Sequence, residues 1–253
     1  MKVHAVFNRD GGTFRTMDMK LFAETAKAVF EKHGHSFESR IVAGKDIVKA
    51  LQEVAAEAGE HVLMAGGGDG TISAAADIAW KAKVPLAVLP AGTMNLFARA
   101  LKIPLELNDA LESLAGGKIR AADISTANDD SFVHQFSIGF QPQMIKLRNT
   151  LEYRSRWGKR LASLRAFAKA MGNPPRFAVR MVIDGAPTER TVSAISVANN
   201  PYGQGVLPVP DVVDRGELGI YVAGRLTPAA LLKLAFTVLA GSWRRNADVD
   251  EIL

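Results

Sequence analysis

Two hydrophobic periods alternate along the first half of this chain. A tight apolar run, VHAVF at 3–7, gives way to a segment from about residue 17 to 33 whose apolar positions recur at helical spacing, with Gly34 as its stop. The succession then repeats. SFESRIV at 36–42 precedes DIVKALQEVAAEA at 46–58, which closes at Gly59; HVLMA at 61–65 precedes a helical stretch after Thr71; PLAVL at 85–89 precedes another after Asn95. Such alternation predicts a parallel sheet with helices on both faces. From about Ile119 the texture changes: KIRAADIST, SFVHQFSIGF, RFAVRMVIDG, RTVSAISVAN, VLPVP and LGIYVAGRL read as closely spaced strands. The expected fold class is α/β. A doubly wound parallel-sheet domain should occupy residues 1–120, followed by a β-rich, sandwich-like domain over 121–253.

Composition narrows this picture. With 253 residues, 48% of them hydrophobic, the chain can build two modest cores or one large one. The absence of cysteine excludes disulfides, thiol nucleophiles and cysteine metal sites, and fits a reducing cytoplasm. MKVHAVFNRD enters a strand at once, leaving no room for the apolar core of a signal peptide. The longest apolar stretch, 229–241, is interrupted by Lys233 and is too short to cross a bilayer. A cytoplasmic protein, soluble or peripheral at the inner membrane face, is expected.

Charge adds one feature. Between residues 146 and 180 stand ten Lys or Arg and a single acid, Glu152. Read as one or two helices, 143–171 places Leu147, Leu151, Leu161, Leu164 and Phe167 among basic side chains, a pattern attracted to anionic lipid headgroups. A solvated helix face accounts for the same pattern. Nucleic acid is disfavoured as a partner, because no DNA- or RNA-binding signature accompanies the charge.

The chemistry concentrates at Gly66, Gly67, Gly68, Asp69, Gly70 and Thr71, between a strand and a helix. Glycines there let backbone N–H groups close on phosphate oxygens, and a helix N-terminus adds partial positive charge. Asp69 beside phosphates calls for a bridging cation, most simply Mg²⁺. A Walker A loop is excluded because no Lys-Ser or Lys-Thr follows at the required interval, and a dinucleotide fingerprint because residue 71 is Thr. A plain glycine-rich turn is the alternative. Two further loops end strands in the same way: Asn8, Arg9, Asp10, Gly11, Gly12, Thr13, and Pro90, Ala91, Gly92, Thr93, Met94, Asn95. In an open parallel sheet these ends converge on one crevice.

GGGDGT at 66–71 and PAGTMNLFARAL at 90–101 resemble the GGDGT and P-x-G-T-x-N-x-F-A-R-x-L motifs of the diacylglycerol kinase catalytic family, which includes sphingosine kinases and bacterial lipid kinases. NAD kinases and phosphofructokinases share the first theme, but the second motif favours the lipid kinases. The resemblance extends from residue 3 to about 222, through ANNPYGQGVLPVPDVVDRGELGIYV. It implies ATP laid across the three strand ends and transfer of its γ-phosphoryl group to a lipid hydroxyl at a membrane surface. Asn8, Gly11 and Gly12 then match the family's N-P-x-S-G phosphate loop, although Arg9, Asp10 and Gly11 replace its usual Pro and Ser. Gly67, Gly68, Asp69, Gly70 and Thr71 match GGDGT, with Asp69 handling Mg²⁺ and the transferring group. Thr93 and Asn95 match the second nucleotide motif, Asn95 being equally suited to cap a helix. Asp123 matches a family acid near the lipid headgroup and is assigned a catalytic role; local hydrogen bonding at a strand start is its alternative. His134 stands where relatives usually carry Asn, and reads as a packed core residue.

Departures from the family pattern gather later in the chain. Gln141 replaces an acid of the G-x-G-F-D-A segment, and Arg215 follows Asp214 where relatives carry a second Asp. A second, structural metal site is therefore expected to be absent, with Asp211 and Asp214 pairing with Arg215. The late D-G-E segment that supplies the family's general base has no counterpart, since the chain ends DVDEIL. The base is accordingly not assigned to Asp250 or Glu251, and the sequence is expected to be truncated at its C-terminus. A nucleotide- or lipid-binding homologue without turnover, and a soluble NAD or sugar-phosphate kinase, are the competing readings. The acceptor lipid and the oligomeric state, a homodimer included, are left open.

Overall fold

The computed structural model describes residues 1–140, 142, 172, 174–205, 207–239, 242, 244, 246 and 248–252. The basic segment expected as helices at 143–171 lies outside the described residues. The chain divides into two compact units, Met1–His134 with Asp211–Arg215, and Gln135–Pro210 with Gly216–Leu253.

In the first unit, β1 (Lys2–Asn8), β2 (Ser36–Val42), β3 (Val62–Gly67) and β4 (Leu86–Pro90) form a parallel sheet in the order β2-β1-β3-β4. Its register sets Val3 against Phe37 and Val62, and Gly67 against Pro90. Because successive strand residues face opposite sides, each strand feeds two cores. Val3, Ala5 and Phe7 of β1 pack with Phe22, Ala26 and Phe30 of α1 (Met19–Lys32), and with Leu107, Ala110 and Leu111 of α5 (Leu107–Ala115). On the other face Val6, Leu63, Ala65 and Val88 are buried beside α2 (Ile47–Ala55) and α3 (Asp69–Ala82), which contribute Leu51, Val54, Ile72 and Ala75. α1 starts sharply because the Asp18 carboxylate accepts hydrogen bonds from the Lys20 and Leu21 amides, at 3.0 and 3.2 Å. A five-residue helix, α4 (Leu96–Ala100), follows β4, and the hairpin β5 (Ser125–Ala127) and β6 (Asp130–Phe132) closes the unit.

The second unit is antiparallel. β12 (Val249–Ile252), β11 (Gly219–Ala223), β10 (Ala194–Ala198) and β7 (Gln135–Gly139) lie in that order. A hairpin of β8 (Phe177–Ile183) and β9 (Ala186–Val192) sends Phe177, Val179 and Met181 onto Val192, Ile195 and Val222. A helix, α6 (Pro228–Leu239), packs Leu231 against Ala223 and Leu226. Tyr202 and Tyr221 stack at 4.6 Å with nearly parallel rings, and the Tyr202 amide donates to the Tyr221 hydroxyl at 2.8 Å.

Several expectations need correcting. Of VLPVP the described residues, 207–210, are not a strand; Pro208 and Pro210 carry no amide to donate, and among the described residues only an isolated bridge joins Tyr202 to Pro210. SFVHQFSIGF divides at Val133 and His134 into β6 and β7, in different units. Of KIRAADIST only its last two residues, Ser125 and Thr126, are strand, the start of β5. α3 starts at Asp69, so the glycine motif is strand end, cap and first helical turn, and the loop between the two elements is no longer than Gly68. Arg215, Asp211 and Asp214 are all exposed, and the ion pairs among the described residues do not join them. Water already solvates such groups well, so pairing them gains little.

Candidate active site

Three loops leave the carboxyl ends of β1, β3 and β4 and touch through their backbones. A Cβ added at Gly12 would stand 2.1 Å from the Ala91 carbonyl oxygen, and one at Gly92 would stand 2.6 Å from the Gly68 Cα. Gly12 also has φ +22°, outside the range that a side chain readily accepts. The Thr13 amide donates to the Ala91 carbonyl at 2.9 Å, fastening the first loop to the third. Asn8 ties the first loop to the second: its side-chain amide donates to the Thr71 hydroxyl at 3.0 Å, and its Oδ1 accepts the Asp10 amide at 3.1 Å.

The glycine motif is built from the strand outward. Gly66 and Gly67 are buried on β3, where a Cβ would strike the Phe7 ring at 2.7 Å or Thr71 at 2.6 Å. Gly68 is the N-cap of α3, and no side chain caps that end. The first-turn amides of α3, with no carbonyl partners inside the helix, are therefore donors available to an anion. Gly70 is exposed at this end.

Asp69 joins the motifs directly. Its Oδ1 accepts the Leu96 amide at 2.7 Å and its Oδ2 accepts the Asn95 amide at 3.1 Å, so this carboxylate caps α4 from another element. Asn95 is buried in the left-handed conformation, φ 51°, and its own side chain makes no cap bond to α4. Instead it turns back on the loop, Oδ1 accepting the Gly92 amide at 2.8 Å and Nδ2 donating to the Gly92 carbonyl at 3.0 Å. The helix-cap reading of Asn95 is thus corrected: the stronger, charged acceptor of Asp69 has taken the amides. Thr93 is exposed on the rim of the same loop.

Two other residues complete the neighbourhood. Asp123 is half-buried, and its amide donates to the Val213 carbonyl at 2.6 Å, binding the 211–215 segment to the first unit. His134 is half-buried as well: burial pushes its imidazole below the usual 6.5, while the charge of Asp69 pulls it partly back up. Sequence reading missed this proximity, because 65 residues separate His134 from Asp69. The hairpin carrying Ser131 is fixed to α3 by a hydrogen bond from the Ser131 hydroxyl to Asp77 at 2.8 Å. Burial alone would raise the Asp77 carboxyl, but bonds from Lys81 and Ser131 outweigh it and hold the group below its usual range.

This parallel α/β unit, with glycine loops at its carboxyl edge, has a clear kinship. Residues 2–127 belong to the diacylglycerol kinase catalytic domain family. The chain is 27% identical to a Mycobacterium tuberculosis protein named diacylglycerol kinase, over 80% of this chain and 66% of that one. A Chromohalobacter salexigens protein carrying the name "Probable lipid kinase YegS-like" is 33% identical over 53% of this chain and 46% of its own length. The crystal structure of a diacylglycerol kinase from Bacillus anthracis superposes with a TM-score of 0.67 at 19% identity, covering 99% of this chain and 82% of that one. This chain spans about half the length of the curated relatives it matches.

Proposed function

We propose that this protein is an ATP-dependent lipid kinase, transferring the γ-phosphoryl group of ATP to the hydroxyl of diacylglycerol or a related lipid alcohol. The observation that carries the reading is the three-loop cradle in which Asp69 holds the second nucleotide motif by two backbone amides, within a segment of this family. The names of the relatives supply the acceptor class.

In this reading the free amides of α3 and the backbone of Gly11, Gly12, Gly67, Gly68 and Gly70 seat the phosphates, with Asn8, Thr71, Thr93 and Asn95 shaping the loops around them. Asp69 suits a cation. Each carboxylate oxygen uses one lone pair on an amide and keeps another. Among the described residues no cluster of three His, Asp or Glu forms a protein cage, so Mg²⁺ would be held by Asp69 together with phosphate oxygens, as is usual for that ion. The ion would supply neutralisation of the charge on the transferring group. Asp123 is assigned to the acceptor hydroxyl. The lipid oxygen forms the new bond to phosphorus, the bond to ADP breaks, and the hydroxyl proton passes to a base. No described helix is long and apolar enough to cross a membrane, so the substrate would be met at a bilayer surface.

The test is label transfer from γ-radiolabelled ATP to mixed vesicles containing diacylglycerol, with and without Mg²⁺. Wild type should yield a labelled lipid only with the ion, and Asp69→Ala should lose at least about a hundredfold of that rate. Equal transfer by Asp69→Ala, or a labelled product formed only from soluble acceptors, overturns the reading.

A further inference from the structure

At the opposite end of the parallel sheet from the glycine loops lie two adjoining cavities of about 440 and about 430 Å³, sharing Met1, Val62, Pro85 and Ile119 in their walls. Strands β1, β3 and β4 begin here, so about 20 Å of strand separates this end from the cradle. We propose that the pair is a binding site for a long-chain anionic amphiphile, with the tail in the larger cavity and the anion among the lysines at the mouth.

Three observations converge on that chemistry. The larger cavity is walled mainly by apolar side chains, among them Val3, Val62, Leu86, Val88 and Leu114, and its size falls in the range of small-molecule sites. The charged side chains of the larger cavity, Lys102, Lys118 and Arg120, are all cationic, and the smaller cavity adds Lys83 beside the single acid of the pair, Glu60. Finally, two of these cations occupy costly backbone positions. Lys83 and Lys102 have φ of 59° and 58°. Each ends a helix with a return bond, Val84 N to the Ala79 carbonyl and Ile103 N to the Ala98 carbonyl, both 2.9–3.0 Å. That seat is the usual place of glycine, which takes it without steric penalty. A cation serving only the helix dipole would do so from the preceding turn in ordinary geometry. The left-handed seats instead place Lys102 on the wall of the larger cavity and Lys83 on that of the smaller one beside it, and strain retained at two cations of adjoining cavities is a reason to look for an anion there.

The site does not depend on phosphoryl transfer, so its test uses the protein without ATP. Equilibrium dialysis with radiolabelled myristate should show one saturable class of sites, and 1-myristoyl-lysophosphatidate should compete; the ratio of their affinities tells a fatty-acid site from a phospholipid one. Tetradecanol and inorganic phosphate, each half of the ligand, should compete poorly. Lys83→Gly/Lys102→Gly should bind myristate about tenfold more weakly while its Tm stays level or rises, since glycine relieves both seats. Ser113→Trp, on the exposed rim of the larger cavity, should also weaken binding with Tm unchanged. Absence of saturable binding, equal competition by tetradecanol, displacement by inorganic phosphate, or unchanged affinity in the double glycine variant would each overturn the proposal.

Discussion

If Asp69 is a structural clasp as well as a phosphate-site carboxylate, removing it must cost stability in the absence of any nucleotide. In Asp69→Ala the Asn95 and Leu96 amides lose acceptors that stand at 3.1 and 2.7 Å. These bonds are charge-assisted and partly buried, and together they cap a helix, so their loss should cost about 2–3 kcal/mol. For a chain of this size that corresponds to a fall in Tm of roughly 4–12 °C. Asp69→Asn keeps one oxygen and turns an NH₂ toward the other amide, so it should cost about 1–2 kcal/mol by the same reasoning. Differential scanning calorimetry and urea titration of the apoprotein measure both. The order wild type, Asn, Ala is the expected result. An Asp69→Ala protein as stable as wild type would refute the clasp, whatever its effect on ATP. A fall in phosphoryl transfer alike in both variants, despite their different stabilities, would separate the chemical role from the structural one.

Other positions give equally definite outcomes. Gly12→Ala, whose new methyl would meet the Ala91 carbonyl oxygen at 2.1 Å, should lower stability by about 2 kcal/mol or more and weaken ATP binding measured by calorimetry. Tyr221→Phe removes the acceptor of the buried Tyr202 amide and should cost about 1–2 kcal/mol in urea denaturation, with the fold kept. His134 has a folded pKa below its usual 6.5, so the unfolded chain binds the extra proton as pH falls through 6.5. Its contribution to stability is present above that pH and is lost between 6.5 and the depressed folded value; Tm of His134→Asn should therefore fall less between pH 7 and 5 than that of wild type.

The parallel sheet was legible because its strands are short apolar runs separated by helical periods, and each of those runs is a strand in the structure. α5 also carried its signal, Leu107, Ala110, Leu111 and Leu114 at helical spacing, but was not read as an element. Less could be seen where pairing partners are distant. β6 and β7 look like one strand because nothing local marks the change of unit at His134. The glycine motif does lie between a strand and a helix, as read, whereas the role of Asp69 as a cap depends on amides 26 and 27 residues later. VLPVP failed for a readable reason, its prolines. Asp250 and Glu251 proved to be engaged on β12 with Arg190 and Arg244, partners that no local pattern discloses.

A helix as short as α4 has no independent stability in water, since nucleating it costs more than one turn of hydrogen bonds returns. Its starting amides find their acceptor only after β3 has paired and α3 has begun, because that acceptor is Asp69. The loop after β4 therefore takes shape late, templated by the glycine motif, and a half-assembled cradle has nothing to hold it. During folding the cradle should form in one step with docking of β4, rather than growing loop by loop.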